Sequence, residues 1–351
     1  SILDRDLPAG ELDDAQAALA TVEPARSDRA AESLRVAALS FAALGGGEAL
    51  SAYLAAHPAD DGVRRMRAML FARLGDTLLE QERYTEAAGA YLALIGQQPD
   101  HRRAPDFQAR AITAYHQGGF GELALDARAG YAERYAPGSA YWTHHDPDPA
   151  VLAEVRRHHD ALGRHHQANA QNTHDPAARR DGYLRAAQWY RKTLDRFPED
   201  PATPATSLLL ADALLEGGRV DDAARQYEHT AYVLPTHGQA PAAALAAVQT
   251  WQRQVRDTQG PTRETAQRKA IASGLRLAEA FPDHPQRGRV LMAAAEDRFA
   301  LGELDLAVAT AGLALDADPS PDLRRDGLNL IAAARFARGQ YAEAERAYVE
   351  L

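Results

Sequence analysis

Histidine is the side chain best placed to bind a metal or to move a proton near neutral pH. Seven of the thirteen histidines fall between His144 and His174, in "THHDPDP", "RRHHDALGRHH" and "THDP". Two histidines on one helix chelate an ion when they stand four residues apart, sometimes three, so that both rings reach the same side. His158 and His159 instead precede His165 and His166 by six, seven or eight residues, about two turns or roughly 10 Å along a helix axis. The spacing therefore predicts a solvated helix face and loop, with no metal and no other cofactor. A His-rich metal-binding module is the alternative.

Other chemistry finds less to work with. There is no cysteine, which removes thiolate nucleophiles, disulfides, iron–sulfur clusters and cysteine zinc sites. No Gly-x-Ser-x-Gly elbow offers an activated serine. The triple glycine at residues 45–47 runs into Glu48 rather than a Lys-Ser/Thr ending, so it reads as a turn between helices and not as a phosphate loop. Asp221 and Asp222 open a helical segment, where carboxylates favour the positive end of the helix dipole; their expected role is structural. No catalytic residue is assigned.

The elements that would position any site follow from composition and repetition. The chain has 351 residues, 46% apolar and 25% charged, proportions of a folded protein. With 39 basic and 49 acidic residues its formal charge is −10, a field that opposes nucleic acid and anionic membrane surfaces. Only Lys192 and Lys269 are lysines. No apolar run approaches the roughly 18 residues that span a bilayer, and "SILDRDLPAG" has neither a basic nor an apolar leader region. A start at Ser1 rather than Met leaves room for a leader already removed.

Three eighteen-residue stretches share one pattern: "ERYTEAAGAYLALIGQQP" from Glu82, "GRVDDAARQYEHTAYVLP" from Gly218 and "GELDLAVATAGLALDADP" from Gly302, each with alanine in sixth place and a closing proline. Before them, and before a fourth partial unit, lie "FARLGDTLLEQ" from Phe71, "SLLLADALLEG" from Ser207, "LMAAAEDRFAL" from Leu291 and "LNLIAAARFAR" from Leu328. Each unit reads as two amphipathic helices. Phe71, Leu74 and Leu78 mark one face of the first, Ala87, Tyr91 and Leu94 one face of the second, and Pro99 stops it. A small residue such as Ala87 or Ala223 lets the helices approach.

This pattern resembles the tetratricopeptide repeat, a 34-residue helix-turn-helix, with Phe71, Leu74, Gly75, Leu78, Ala87, Tyr91, Leu94 and Pro99 in the matching places. The resemblance implies an all-α fold, a right-handed superhelical solenoid of about eight helical hairpins forming one array over residues 1–351. Approximate units are 29–58, 68–99, 104–137, 150–198, 204–235, 240–282, 288–319 and 325–351. "ANAQNTHDPAARRDG" and "RDTQGPTRET" are read as lengthened turns inside two of them. The closing prolines at 99, 137, 198, 235, 282 and 319 are irregularly spaced. The last unit stops at Leu351 inside its second helix, so the natural chain is expected to continue.

In this family the first helix of each pair lines the concave face. Carried over position by position, the resemblance implicates Met69, Asp76, Leu79, Glu80, Gln108, Tyr115, His116, Leu208, Asp212, Leu215, Met292, Glu296, Phe299, Asn329 and Phe336. Members that grip acidic chaperone tails use lysine, arginine and asparagine along this groove. Here the corresponding places carry Ala72, Asp76, Leu208 and Asp212, which argues against that ligand. The expectation is a partly apolar, mildly acidic groove for a protein or peptide segment with hydrophobic anchors and basic flanks, in a non-catalytic scaffold.

An all-helical enzyme of the α/α toroid type, working through two carboxylates, is the alternative; the closing prolines and small-residue register favour the open array. "RFPEDP" and "AFPDHP" also resemble helix endings in bacterial envelope tetratricopeptide proteins, such as the TolA-binding cell-division coordinator and the outer-membrane assembly lipoprotein. That similarity implies a bacterial envelope complex, periplasmic or outer-membrane-associated, with the cytoplasm as the alternative.

Overall fold

The computed structural model describes residues 19–58, 65–318 and 320–350, and these are all-α. Sixteen α-helices are present among them: α1 Pro24–Leu44, α2 Gly46–Ala56, α3 Arg67–Glu80, α4 Tyr84–Gln97, α5 Ala104–Gln117, α6 Gly121–Arg134, α7 Pro149–Asn172, α8 Pro176–Arg196, α9 Thr203–Glu216, α10 Val220–Tyr232, α11 Ala240–Asp257, α12 Gly260–Ala280, α13 Arg287–Ala300, α14 Leu304–Ala317, α15 Pro321–Ala337 and α16 Tyr341–Val349. They pair as hairpins. The chain divides into two compact units, the first up to residue 162 and the second from residue 163. The division falls within α7.

In the first unit α1 lies on α2 and α3, α2 on α3 and α4, and α3 through α6 pack each on the next. In the second, consecutive helices from α8 to α16 pack pairwise, and α13 also touches α15. The repeated alanines are the reason. Ala87, Ala223 and Ala307 are fully buried, and at each a larger side chain would separate neighbouring helices. Tyr190 and Tyr227 share a core cluster with Ala223, and Tyr91 is buried in the first unit. A Cβ on Gly75 would stand 2.3 Å from the Tyr91 ring, and one on Gly163 2.5 Å from Tyr190. In both hairpins the missing side chain admits the tyrosine.

Helices end where the sequence places prolines. Pro99, Pro137, Pro198, Pro235 and Pro282 each follow a helix C-terminus; Pro319 and Leu351 lie outside the described residues. Two lengthened turns are a misreading. "ANAQNTHDPAARRDG" continues α7 to Asn172 and starts α8 at Pro176, and "RDTQGPTRET" likewise divides between α11 and α12. Alanine, asparagine and glutamine sustain the helix. The break is confined to Thr173–Asp175, where Asp175 caps α8 by accepting from the amides of Ala177 and Ala178 at 3.4 and 2.9 Å with Pro176 in the first turn.

The turn inside a hairpin is also shared. Gly119, Gly218, Gly302 and Gly339 have φ of 77°, 79°, 77° and 74°, and Glu82 holds the same place at 57°. At each, the following amide bonds back to a carbonyl five residues earlier, as from Arg83 to Leu78 at 2.9 Å and from Arg219 to Leu214 at 2.8 Å. The left-handed conformation costs an ordinary residue roughly 1 kcal/mol that glycine does not incur. A Glu82→Gly variant is expected to be more stable by about 0.5 to 1 kcal/mol in urea unfolding; an unchanged or lower midpoint would refute the turn assignment.

Candidate functional site: the first-helix face of each unit

The first helices of the hairpins hold the residues the sequence points to, and the structure sorts them into groups. Met69, Gln108 and Met292 are core rather than surface, at 0%, 3% and 4% exposure. Met292 packs with Leu291, Ala314 and Leu323. The Gln108 amide donates to the Ala127 carbonyl at 2.9 Å, and its oxygen accepts from Arg134 at 3.4 Å. All three are set by the helical period that also buries Phe71, Ala111 and Leu291, so none presents a side chain to a partner.

Asp76 and Asp212 act within the fold. The Tyr91 hydroxyl donates to Asp76 at 2.7 Å, and Tyr227 makes the same bond to Asp212. A third hairpin uses an amide in this role: the Tyr190 hydroxyl donates to Gln167 at 2.6 Å. Each bond ties the second helix of a hairpin to the first. Burial, and then the Asp76 carboxylate, push the Tyr91 phenol up; burial, and then the Asp212 carboxylate, do the same to Tyr227. Both stay protonated donors.

The remaining positions stay accessible to different degrees. Leu79, Tyr115 and Phe299 are half-buried. So are Leu208 and Leu215, which lean on the core around Tyr227. Glu80, His116, Glu296, Asn329 and Phe336 are exposed. Phe336 meets Tyr341 edge-on with ring centroids 5.2 Å apart.

In the first unit one cleft of about 560 Å³ opens along α1, α3 and the start of α5. Its apolar lining is Leu19, Ala31, Leu34 and Ala72, with Asp28, Glu32 and Asp76 beside Arg35, Arg73, Arg103 and Arg110. Of the sequence candidates only Asp76 lies in it. Its charged lining is therefore mixed, four arginines among three carboxylates. A signal was present: Arg73 and Arg110 are separated by the same interval as Glu82 and Gly119, so they hold one repeat position. In the second unit a hollow of about 480 Å³ is lined by Leu215, Tyr227, Ala246, Gln249, Arg253 and Arg256, among others.

The histidine cluster also departs from the reading of one solvated face. His144 and His174 are exposed, but His158 and His159 are buried at 5% and 2% exposure. They continue the buried stripe of α7 from Val155 to Leu162. The His158 ring stands edge-on to Tyr131 at 4.8 Å, and its Nε2 lies 3.3 Å from Glu154. His159 Nε2 lies 3.4 Å from the Ala132 carbonyl, His145 Nε2 2.8 Å from that of Asp100. Among the described residues no three His, Asp or Glu side chains are grouped to hold a metal ion. No single helix there is long and apolar enough to cross a membrane.

Asp221 and Asp222 also hold structure together. Asp221 accepts from Lys269 at 2.6 Å and from Gln254 at 2.7 Å, joining α10 to α12 and α11. Lys269 in turn lies over the Trp251 ring, 4.5 Å from its centroid. Asp222 pairs with Arg219 and Arg225 at 2.6 and 2.7 Å.

An all-α chain of helical hairpins with this turn and this small-residue register is a tetratricopeptide-like fold. No family model matches the chain, and no curated protein matches it. Solved structures do. The C-terminal part of a TPR repeat-containing protein from Cytophaga hutchinsonii is 14% identical, covering 79% of this chain and 92% of that one at a TM-score of 0.35. A tetratricopeptide repeat protein from Parabacteroides merdae is 16% identical, covering 86% and 98% at a TM-score of 0.24. These likenesses concern the fold, and the hairpin geometry above carries it independently.

Proposed function

We propose that the protein is a non-catalytic scaffold that binds a segment of another protein along the first helices of its hairpins. The cleft along α1, α3 and α5 carries this reading: the first helices of three hairpins contribute to one open, partly apolar trough, bordered by charged side chains that can align a peptide. Potential catalytic groups, by contrast, are spent on structure. Asp76 and Asp212 are bonded to tyrosines, Asp221 to Lys269, and the two buried histidines belong to a helix stripe. The bacterial envelope is the proposed setting, supported by the Phe-Pro endings: Phe197 and Phe281 close α8 and α12 directly before their prolines.

Interface energy concentrates in a few large side chains, which makes Tyr115 and Phe299 the informative first-helix anchors. Immobilised protein should capture a partner from a cell extract, and Tyr115→Ala or Phe299→Ala, once shown to fold, should lose it by about tenfold or more. Capture undiminished in both variants counts against these anchors. Turnover of any substrate by the purified chain would refute the non-catalytic assignment. Osmotic-shock fractionation of the source cells tests the setting, and recovery with cytoplasmic markers overturns it.

A further inference from the structure

Buried histidine is confined to one contact of this protein. Among the described residues only His158 and His159 are buried; the other histidines are exposed or half-buried. Both stand in the α7 stripe between Val155 and Leu162, and both meet α6: His158 through the Tyr131 ring, edge-on at 4.8 Å, and His159 through the Ala132 carbonyl, 3.4 Å from Nε2. Imidazole is the side chain that gains a charge in mildly acidic water. This contact receives such a charge poorly. Arg128 faces His158 from α6, and Arg157 and His159 do so from its own helix. The carboxylate beside it, Glu154 at 3.3 Å, is already bound by Arg157.

The connection that leads into α7 is pinned by other means. The Tyr141 hydroxyl donates to the Arg102 carbonyl at 2.9 Å, and the Trp142 indole to the Tyr135 carbonyl at 3.0 Å. Neither donor titrates between pH 7 and 5. We propose that the α6–α7 contact is an acid-sensitive latch: a proton on His158 is excluded from the closed contact, so acidification frees residues 149–162 from α6 while the connection before them and the second unit stay folded. The open contact takes up the proton near pH 6.5 and the closed one near 4, so opening gains between these values as pH falls. Burial first, then Arg128 and Arg157, set that difference.

Amide hydrogen exchange of the whole chain, read by mass spectrometry and corrected for the intrinsic effect of pH, tests the latch. Between pH 7 and 5 most carboxylates stay ionised, so the imidazole dominates the difference. The opening equilibrium of α6 and of residues 149–162 should rise about tenfold, and that of α9 and α10 should change less than about twofold. His158→Phe, which keeps a ring against Tyr131, should abolish the rise; His158→Gln, neutral and polar, should do the same where phenylalanine upsets the packing. Protection of α6 that is indifferent to pH overturns the proposal. An equal rise in α9 and α10 also overturns it, because acid would then loosen the whole fold. So does a rise that survives both substitutions. If neither variant folds, the comparison of the two regions in the parent chain decides alone.

Discussion

Gly75→Leu is expected to lose about 2 to 3 kcal/mol of unfolding free energy in the first unit, at the upper end of the range for overpacked cores. A Cβ at this position already stands 2.3 Å from Cε1 and 2.6 Å from Cζ of Tyr91. The ring cannot swing aside cheaply. Its hydroxyl is bonded to Asp76 at 2.7 Å, the Arg110 guanidinium lies 5.9 Å from its centroid, and Phe107 meets it edge-on at 6.3 Å. Leucine must therefore push α3 and α4 apart, or break the tyrosine bond and strand a buried phenol. Ala223→Leu, at a fully buried alanine between the helices of another hairpin, should cost about 1 to 3 kcal/mol by the same mechanism.

Local probes separate the two units. Trp142 lies in the first unit and bonds to the Tyr135 carbonyl at 3.0 Å, whereas Trp189 and Trp251 lie in the second. With Trp189 and Trp251 replaced by phenylalanine, urea unfolding followed by Trp142 fluorescence reports Gly75→Leu. An unshifted midpoint would mean that the hairpin register is wrong.

The same register explains what the sequence conveyed. Helix pairs, closing prolines and the small residues at 75, 87 and 223 were legible because they repeat, and repetition of one physical constraint is visible without coordinates. The surface was less so. Met69, Gln108 and Met292 share the expected binding face by position in the helix pair, but the phase of burial turns them into the core, as the apolar run Leu70–Phe71 beside Met69 indicates. The arginines of the cleft come from three separate hairpins. Only packing makes Arg35, Arg73 and Arg110 neighbours of one trough.

Histidine gave the clearest failure. A doublet looks hydrophilic when chelate spacing is the only question asked, yet Val155, His158, His159 and Leu162 follow the three-and-four spacing of a buried face.

That burial has a consequence for acid stability. His158 is 5% exposed, on α7. The groups facing it are Tyr131 and Arg128 from α6 and Glu154, Arg157 and His159 from its own helix. Burial first, then the positive charges of Arg128 and Arg157, hold its imidazole down at about 4, from an ordinary value of 6.5. Glu154, 3.3 Å from Nε2, pulls the other way but is also bound by Arg157.

The folded protein therefore keeps this histidine neutral while the unfolded chain protonates it first. Its contribution is fully present above pH 6.5, falls as pH drops toward 4, and levels off below, because there both states bind the proton. Integrated over that window the loss is about 3 kcal/mol, less whatever Glu154 returns. Carboxylates titrate in the same range, so the decisive quantity is a difference. Urea unfolding of the chain and of His158→Phe, which keeps a ring against Tyr131, should be compared at pH 7, 5 and 4 through Trp142 fluorescence. The parent should lose about 3 kcal/mol relative to the variant between the first and last of these. Parallel curves would show that His158 titrates alike in both states, and would remove buried imidazole from the physics of the α6–α7 contact.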